Sequence, residues 1–186
     1  MSHTGRKDSG PLPLGVQVAD VGGGSFGALT GLLAAVIYRQ QTGTGQLVDI
    51  SMFDFSIAWH APAVSHYLVG RQDSDWESWL LNGGSFYDFY CTADDRYLSM
   101  GSLELKFWQG FCQAIGRPDL IEDGLKTDDL PRQQVVKIEI QKTIASRAFA
   151  EWVAISAALD VCVEPVLTIS EMINHPQTQA RQMIVN

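Results

Sequence analysis

The first regular hydrophobic pattern in the chain begins at Phe26. Phe26, Leu29, Leu32, Leu33, Val36 and Ile37 recur at intervals of three and four up to Thr42-Gly43, which predicts a helix with one apolar face. Gly22, Gly23 and Gly24 stand before it as a glycine-rich entrance, and Gly43 is a natural C-terminal stop. The run Leu47 to Ile50 is strand-like. Ser51, with Asp54 three residues on, forms an N-cap signature for a second helix through the apolar stretch Phe53 to Val69, kinked near Pro62. The polar, glycine-terminated stretch RQDSDWESWLLNGG then reads as a linker or lid that divides the chain.

Beyond the division the period changes. Phe86 to Thr92 and Tyr97 to Ser102 alternate around the turn Ala93-Asp94-Asp95-Arg96 and predict a hairpin. Helical patterns follow over Leu103 to Ile115 (ending at Gly116), Pro131 to Ser146 and Phe149 to Leu159. Val161 to Leu167 is a strand candidate interrupted by Pro165, and the residues from Ser170 to Asn174 a short helix before His175-Pro176. The fold class is α+β, organised as an N-terminal stub over 1–14, a glycine-capped helix and linker helix over 15–70, and a small α+β domain over 71–186.

Composition narrows the partners. With 46% hydrophobic and 18% charged residues the chain is expected to fold. Its net charge of −8 and scattered basic residues argue against nucleic acid. The longest apolar stretch, Leu32 to Tyr38, is too short for a bilayer, so no membrane partner and a cytoplasmic location are expected. Cys91, Cys112 and Cys162 are odd in number and far apart, which suits reduced, partly buried thiols rather than zinc or dithiol chemistry. His60 and His66 are six residues apart, on different faces of a helix, so no metal site is expected.

Two features carry possible chemistry. VADVGGGSFG contains G-x-G-x-x-G at Gly22, Gly24 and Gly27, but the pattern then turns to helix and hairpin instead of continuing in βαβ units, which argues against a dinucleotide site. The alternative is that the glycines let another backbone or a ligand approach closely. Asp20 precedes them, where a carboxylate can cap a helix and gain from its dipole. Glu104 opens the helix after the hairpin, an ordinary place for an acid. Trp76, Trp79, Phe86, Tyr87 and Tyr90 suit a core or an interface, or the walls of an apolar acyl pocket.

Three stretches together, GVQVADVGGGSFGALTGLLAAVIYRQQTGTGQLVDISMFD, LNGGSFYDFYCTADDRYLSMGSLELKFWQGFC and LDVCVEPVLTISEMINHPQTQAR, resemble the α-methylacyl-CoA racemase branch of the family III CoA transferases (CaiB/BaiF-like proteins). The resemblance implies a C-terminal part of a longer enzyme, without its N-terminal CoA-binding part, that folds as linker helices plus a small α+β domain in an interlocked homodimer. It also implies an acyl-CoA thioester as substrate, with no separate cofactor.

In the racemases a histidine and an aspartate face opposite sides of the substrate α-carbon, and a glutamate orients the histidine. Asp20 in ADVGGG matches the aspartate and Glu104 in GSLELKF the glutamate, while Gly22, Gly23, Gly24, Met52 and Tyr87 are the implied substrate-binding positions. His3 does not match the histidine, which the resemblance puts upstream of Met1. Leu105 stands where the family usually has proline, and Cys91 where it usually has arginine. In the transferase branch the equivalent aspartate is a nucleophile that forms an aspartyl-CoA thioester. Racemase-like chemistry is therefore the first expectation, transfer the second, and a non-catalytic dimerisation module the third.

Overall fold

The computed structural model describes residues 4–77 and 81–185, so Trp79 and His3 lie outside the described residues. The chain forms two compact units, Met1–Asp75 and Trp76–Asn186.

The first unit opens with a two-stranded antiparallel pair, β1 (Gly5–Arg6) and β2 (Gly10–Pro11). A π-helical stretch, Val18–Ser25, then runs without a break into α1 (Phe26–Thr42). The glycines are thus inside a helix rather than at its entrance. The reason is packing: α2 (Met52–Trp59) lies against them so closely that a Cβ built on Gly23 would come within 3.3 Å of the Met52 carbonyl oxygen. A Cβ on Gly27 would sit 2.8 Å from the Phe55 ring. The backbone cost of glycine in a helix, about 1 kcal/mol each, is offset by an approach that no larger residue permits. Gly43 ends α1 in the left-handed region at φ 76°, and its N–H donates to the Arg39 carbonyl at 2.8 Å, the stop that the sequence predicts.

Three further expectations change in this unit. Leu47 to Ile50 forms no strand; instead Val48 and Ile50 lie over Gly31, and among the described residues no strand pairs with this segment. The kink expected near Pro62 is a full break at His60, with α3 (Ala61–Gly70) starting afresh and Pro62 in its first turn, where a missing N–H costs nothing. The helix Val18–Thr42 has 25 residues and is long and apolar enough to cross a membrane by length and composition, a length that Leu32 to Tyr38 did not suggest. Ser51 caps α2 as predicted, its hydroxyl accepting from the Asp54 N–H at 3.3 Å.

The second unit holds the core. β3 (Tyr87–Cys91), β4 (Tyr97–Gly101) and β5 (Val163–Pro165) form an antiparallel sheet in the order β3-β4-β5, with Phe89 opposite Ser99 and Ser99 opposite Glu164. Side chains alternate across it. Tyr90, Leu98, Met100 and Val163 point inward against Trp108 and Phe111 of α4 (Leu105–Ala114), against Val136, Ile140 and Ile144 of α6 (Leu130–Ile144), and against Trp152 of α7 (Phe149–Ala157). A short 3-10 turn, Pro118–Leu120, leads into α5 (Ile121–Gly124) between α4 and α6. The chain closes with α8 (Ile169–Asn174), capped by Thr168, and α9 (Pro176–Ala180).

Helix α6 does more than fill the core. Gln133, Lys137 and Gln141 recur every four residues and so share one face. Gln133 accepts the Ser85 N–H at 2.9 Å, Lys137 pairs with the buried Asp88 carboxylate at 2.5 Å, and Gln141 both accepts from and donates to the Cys91 backbone, at 3.0 and 2.7 Å. This ladder of side chains occupies the outer edge of β3, which would otherwise present unpaired backbone groups.

Candidate active site

Candidate residues lie in each of the two units. In the first, Asp20 lies in the opening turn of the π-helix, exposed, with Gln17 as the N-cap residue and no side-chain capping bond. The capping role expected of Asp20 is therefore not the one it has. The helix begins two residues earlier, since packing by α2 carries it back through the glycines. The Asp20 backbone carbonyl accepts the Ser25 hydroxyl at 3.2 Å, while its carboxylate projects from the turn where the helix dipole favours negative charge.

The residues around Asp20 form a tight seam. Gly22 lies against the Trp59 ring, Gly23 against the Met52 backbone and Phe55, and Gly24 against the Met52 side chain, with distances of 3.1 to 3.3 Å from each built Cβ to its nearest neighbour. Gly22, Gly23, Gly24 and Met52 are thus brought together beside Asp20. Of these, Gly23 is buried while the Met52 side chain is exposed. Phe55 and Trp59 also belong to this seam and were not among the expected site residues; their spacing of four, which puts them on one face of α2, was the available signal.

In the second unit, Glu104 is the N-cap residue of α4, extended at φ −79° and ψ 140°. Its backbone carbonyl accepts from the Phe107 and Trp108 amides, both at 3.0 Å, but its carboxylate makes no capping bond and is exposed. An acid that leads a helix without capping it has a free carboxylate for another partner. Tyr87 lies nearby: it pairs with Gly101 across the hairpin, and its ring edge is 3.7 Å from a Cβ built there, on the outer face of the sheet. Phe86 and Tyr90, in contrast, are buried in the core, and Trp76 is half-buried.

Cys162 stands beside the Glu104 connection. It is exposed, with a left-handed backbone at φ 50°, and its thiol is pushed up by partial desolvation and by the charges of Glu104 and Asp160. Cys112 is the opposite case, fully buried in the core, where desolvation drives its thiol up to about 12. It is inert packing. Cys91 is half-buried, and all three cysteines are free. Among the described residues no group of three or more His, Cys, Asp or Glu side chains is placed to hold a metal.

The sequence profile of CoA-transferase family III matches residues 1–186. Human alpha-methylacyl-CoA racemase is 30% identical over 97% of this chain and 47% of its own length. The acetyl-CoA:oxalate CoA-transferase of Acetobacter aceti is 26% identical over 100% of this chain and 48% of its own. The crystal structure of a CAIB/BAIF family protein from Brucella suis shares the fold with a TM-score of 0.74 at 21% identity, over 100% of this chain and 49% of that one. The chain spans about half the length of the relatives it matches. With its glycine seam, its small α+β unit and a match along its whole length, the chain belongs to CoA-transferase family III.

Proposed function

We propose that this chain supplies Asp20 and Glu104 to a CoA-thioester enzyme of the α-methylacyl-CoA racemase type. One base removes the α-proton of an acyl-CoA, the electron pair moves onto the thioester oxygen as an enolate, and a second acid returns a proton to the opposite face. Asp20 serves one face. A histidine from outside this chain serves the other, and Glu104 orients that histidine. The substrate is the CoA thioester itself, with no separate cofactor, and the working enzyme is a cytoplasmic, interlocked homodimer without nucleic-acid or membrane partners. Gly22, Gly23, Gly24, Met52 and Tyr87 line the substrate.

The observation that carries this reading is the Glu104 carboxylate, which heads α4 without capping it. A structural acid at that position would bond the first-turn amides. The relatives named as racemases support the same ranking. One observation favours transfer instead: the Asp20 carboxylate is exposed in the opening turn of its helix, where it is accessible as a nucleophile as well as a base.

The test separates the two. The chain is joined to the N-terminal half of a family racemase and mixed with an acyl-CoA. Racemisation predicts no covalent adduct and strongly impaired α-proton exchange in Glu104→Gln, because a histidine that loses its orienting carboxylate is a weaker base. An Asp20 adduct trapped by hydroxylamine or borohydride, with undiminished turnover in Glu104→Gln, would replace this reading by the transferase one.

A further inference from the structure

Three residues, Ser102, Leu103 and Glu104, carry the chain from the end of β4 to the start of α4. The direction in which Glu104 points is set by how that connection is held. The β4–β5 ladder ends at the pair Met100 and Val163. Past that point the connection is fastened by other bonds: the Gly101 N–H donates to the Cys162 carbonyl at 2.9 Å, and the Ser102 N–H to the Phe86 carbonyl at 2.9 Å. The Ser102 hydroxyl donates to the Val161 carbonyl at 2.5 Å. Ser102 is fully buried. Its acceptor lies where the chain bends at Cys162 into the left-handed region, a conformation that costs a non-glycine residue energy and persists only when neighbours enforce it.

We propose that Ser102 is a positioning residue, which fixes the direction of the Glu104 carboxylate by bolting the β4–α4 connection to the Val161–Cys162 bend. The proposal rests on the part given above to Glu104. A serine needed only to fill space would be replaceable by alanine, with no effect on what Glu104 faces. Here the hydroxyl is the one side-chain bond between the connection and the bend among the described residues, and removing it leaves a buried carbonyl without that donor.

Cys162 provides a reporter in the chain as it stands. Its thiol is exposed and senses Glu104, Asp160 and Glu164, which raise its ionisation range, and Lys106, which lowers it. The experiment follows alkylation of Cys162 by iodoacetamide against pH, with mass spectrometry separating it from Cys91. Glu104→Gln removes a negative charge and shifts the profile to lower pH. Ser102→Ala shifts it in the same direction by less, the double variant matches Glu104→Gln, and Ser102→Thr, which keeps the hydroxyl, stays with the wild type. If Ser102→Ala lowers the melting temperature but leaves the profile in place, or the double variant shifts beyond Glu104→Gln, the proposal is overturned.

The completed enzyme gives the functional arm. Ser102→Ala should lower kcat about tenfold with KM unchanged, since misdirecting a catalytic constellation costs rate rather than binding, and should add nothing in the Glu104→Gln background. Slow exchange in Glu104→Gln with normal exchange in Ser102→Ala overturns the positioning role alone. Normal exchange in Glu104→Gln overturns both that role and the racemase reading.

Discussion

At the scale of single residues, the chain separates groups that hold structure from groups left exposed. Gln133 is the clearest of the first kind. Almost fully buried, it accepts from Ser85 N–H and donates to the carbonyls of Asp123, Gly124 and Lys126. Gln133→Leu keeps the volume but strands these backbone groups, so it should lower stability by about 2 to 3 kcal/mol, read from urea denaturation. Asp20 and Glu104 are of the second kind, exposed carboxylates at helix starts without capping bonds. The sequence shows both acids plainly, since each sits in a recognisable motif. It does not show Gln133, because the partner Ser85 lies 48 residues away in sequence. Nor does it show that Asp20 is not a cap, which depends on where α2 packs.

Among the elements, the glycine seam and the α6 ladder decide the architecture. Gly27→Val would drive a branched side chain into the Phe55 ring and should part α1 from α2, at a cost of about 1 to 3 kcal/mol for overpacking. A thermal melt of the variant against the wild type measures it. Ion pairs tie α5 to α6: Arg132 and Lys126 grip Asp123 and hold its carboxyl down at about 2, Arg117 lowers Asp119, and Lys142 together with Arg117 lowers Glu139. Carboxyls depressed in the folded state contribute stability above the ordinary carboxylate range, and that contribution is lost as pH falls toward their folded values. Stability should therefore decline from about pH 5 to about pH 2, and Asp123→Asn should flatten the decline, as urea midpoints across that range would show. The hairpin and most helices were legible from periodicity because their apolar faces meet one core. Leu47 to Ile50 read as a strand on residue type alone. Among the described residues no strand pairs with it, and strand formation is a property of pairs.

For the whole molecule, the contrast between the two units is the main fact. The second has a continuous core of aromatic and aliphatic side chains. In the first, only Gly23 and Gly27 are buried among the described residues, while Phe26, Leu29, Leu32 and Leu33 are each at least half exposed. An apolar surface of that extent marks an interface. The isolated chain should self-associate through it, with light scattering rising in apparent mass with concentration; a monomer that binds no hydrophobic dye at any concentration would contradict this. The family was legible because its three motifs are contiguous in sequence. The exposure of the apolar face of α1 was not, since a local pattern does not record which elements pack against it.

The measurement that bears most directly on the account is α-proton exchange in heavy water from each enantiomer of a 2-methylacyl-CoA, with the chain completed by a family N-terminal half. Wild-type enzyme should exchange both. Asp20→Asn should abolish exchange from one enantiomer far more than from the other, because each base serves one face, and no adduct should accumulate. Equal loss from both enantiomers together with a trapped Asp20 adduct in the wild type, or full exchange in Asp20→Asn, would contradict it.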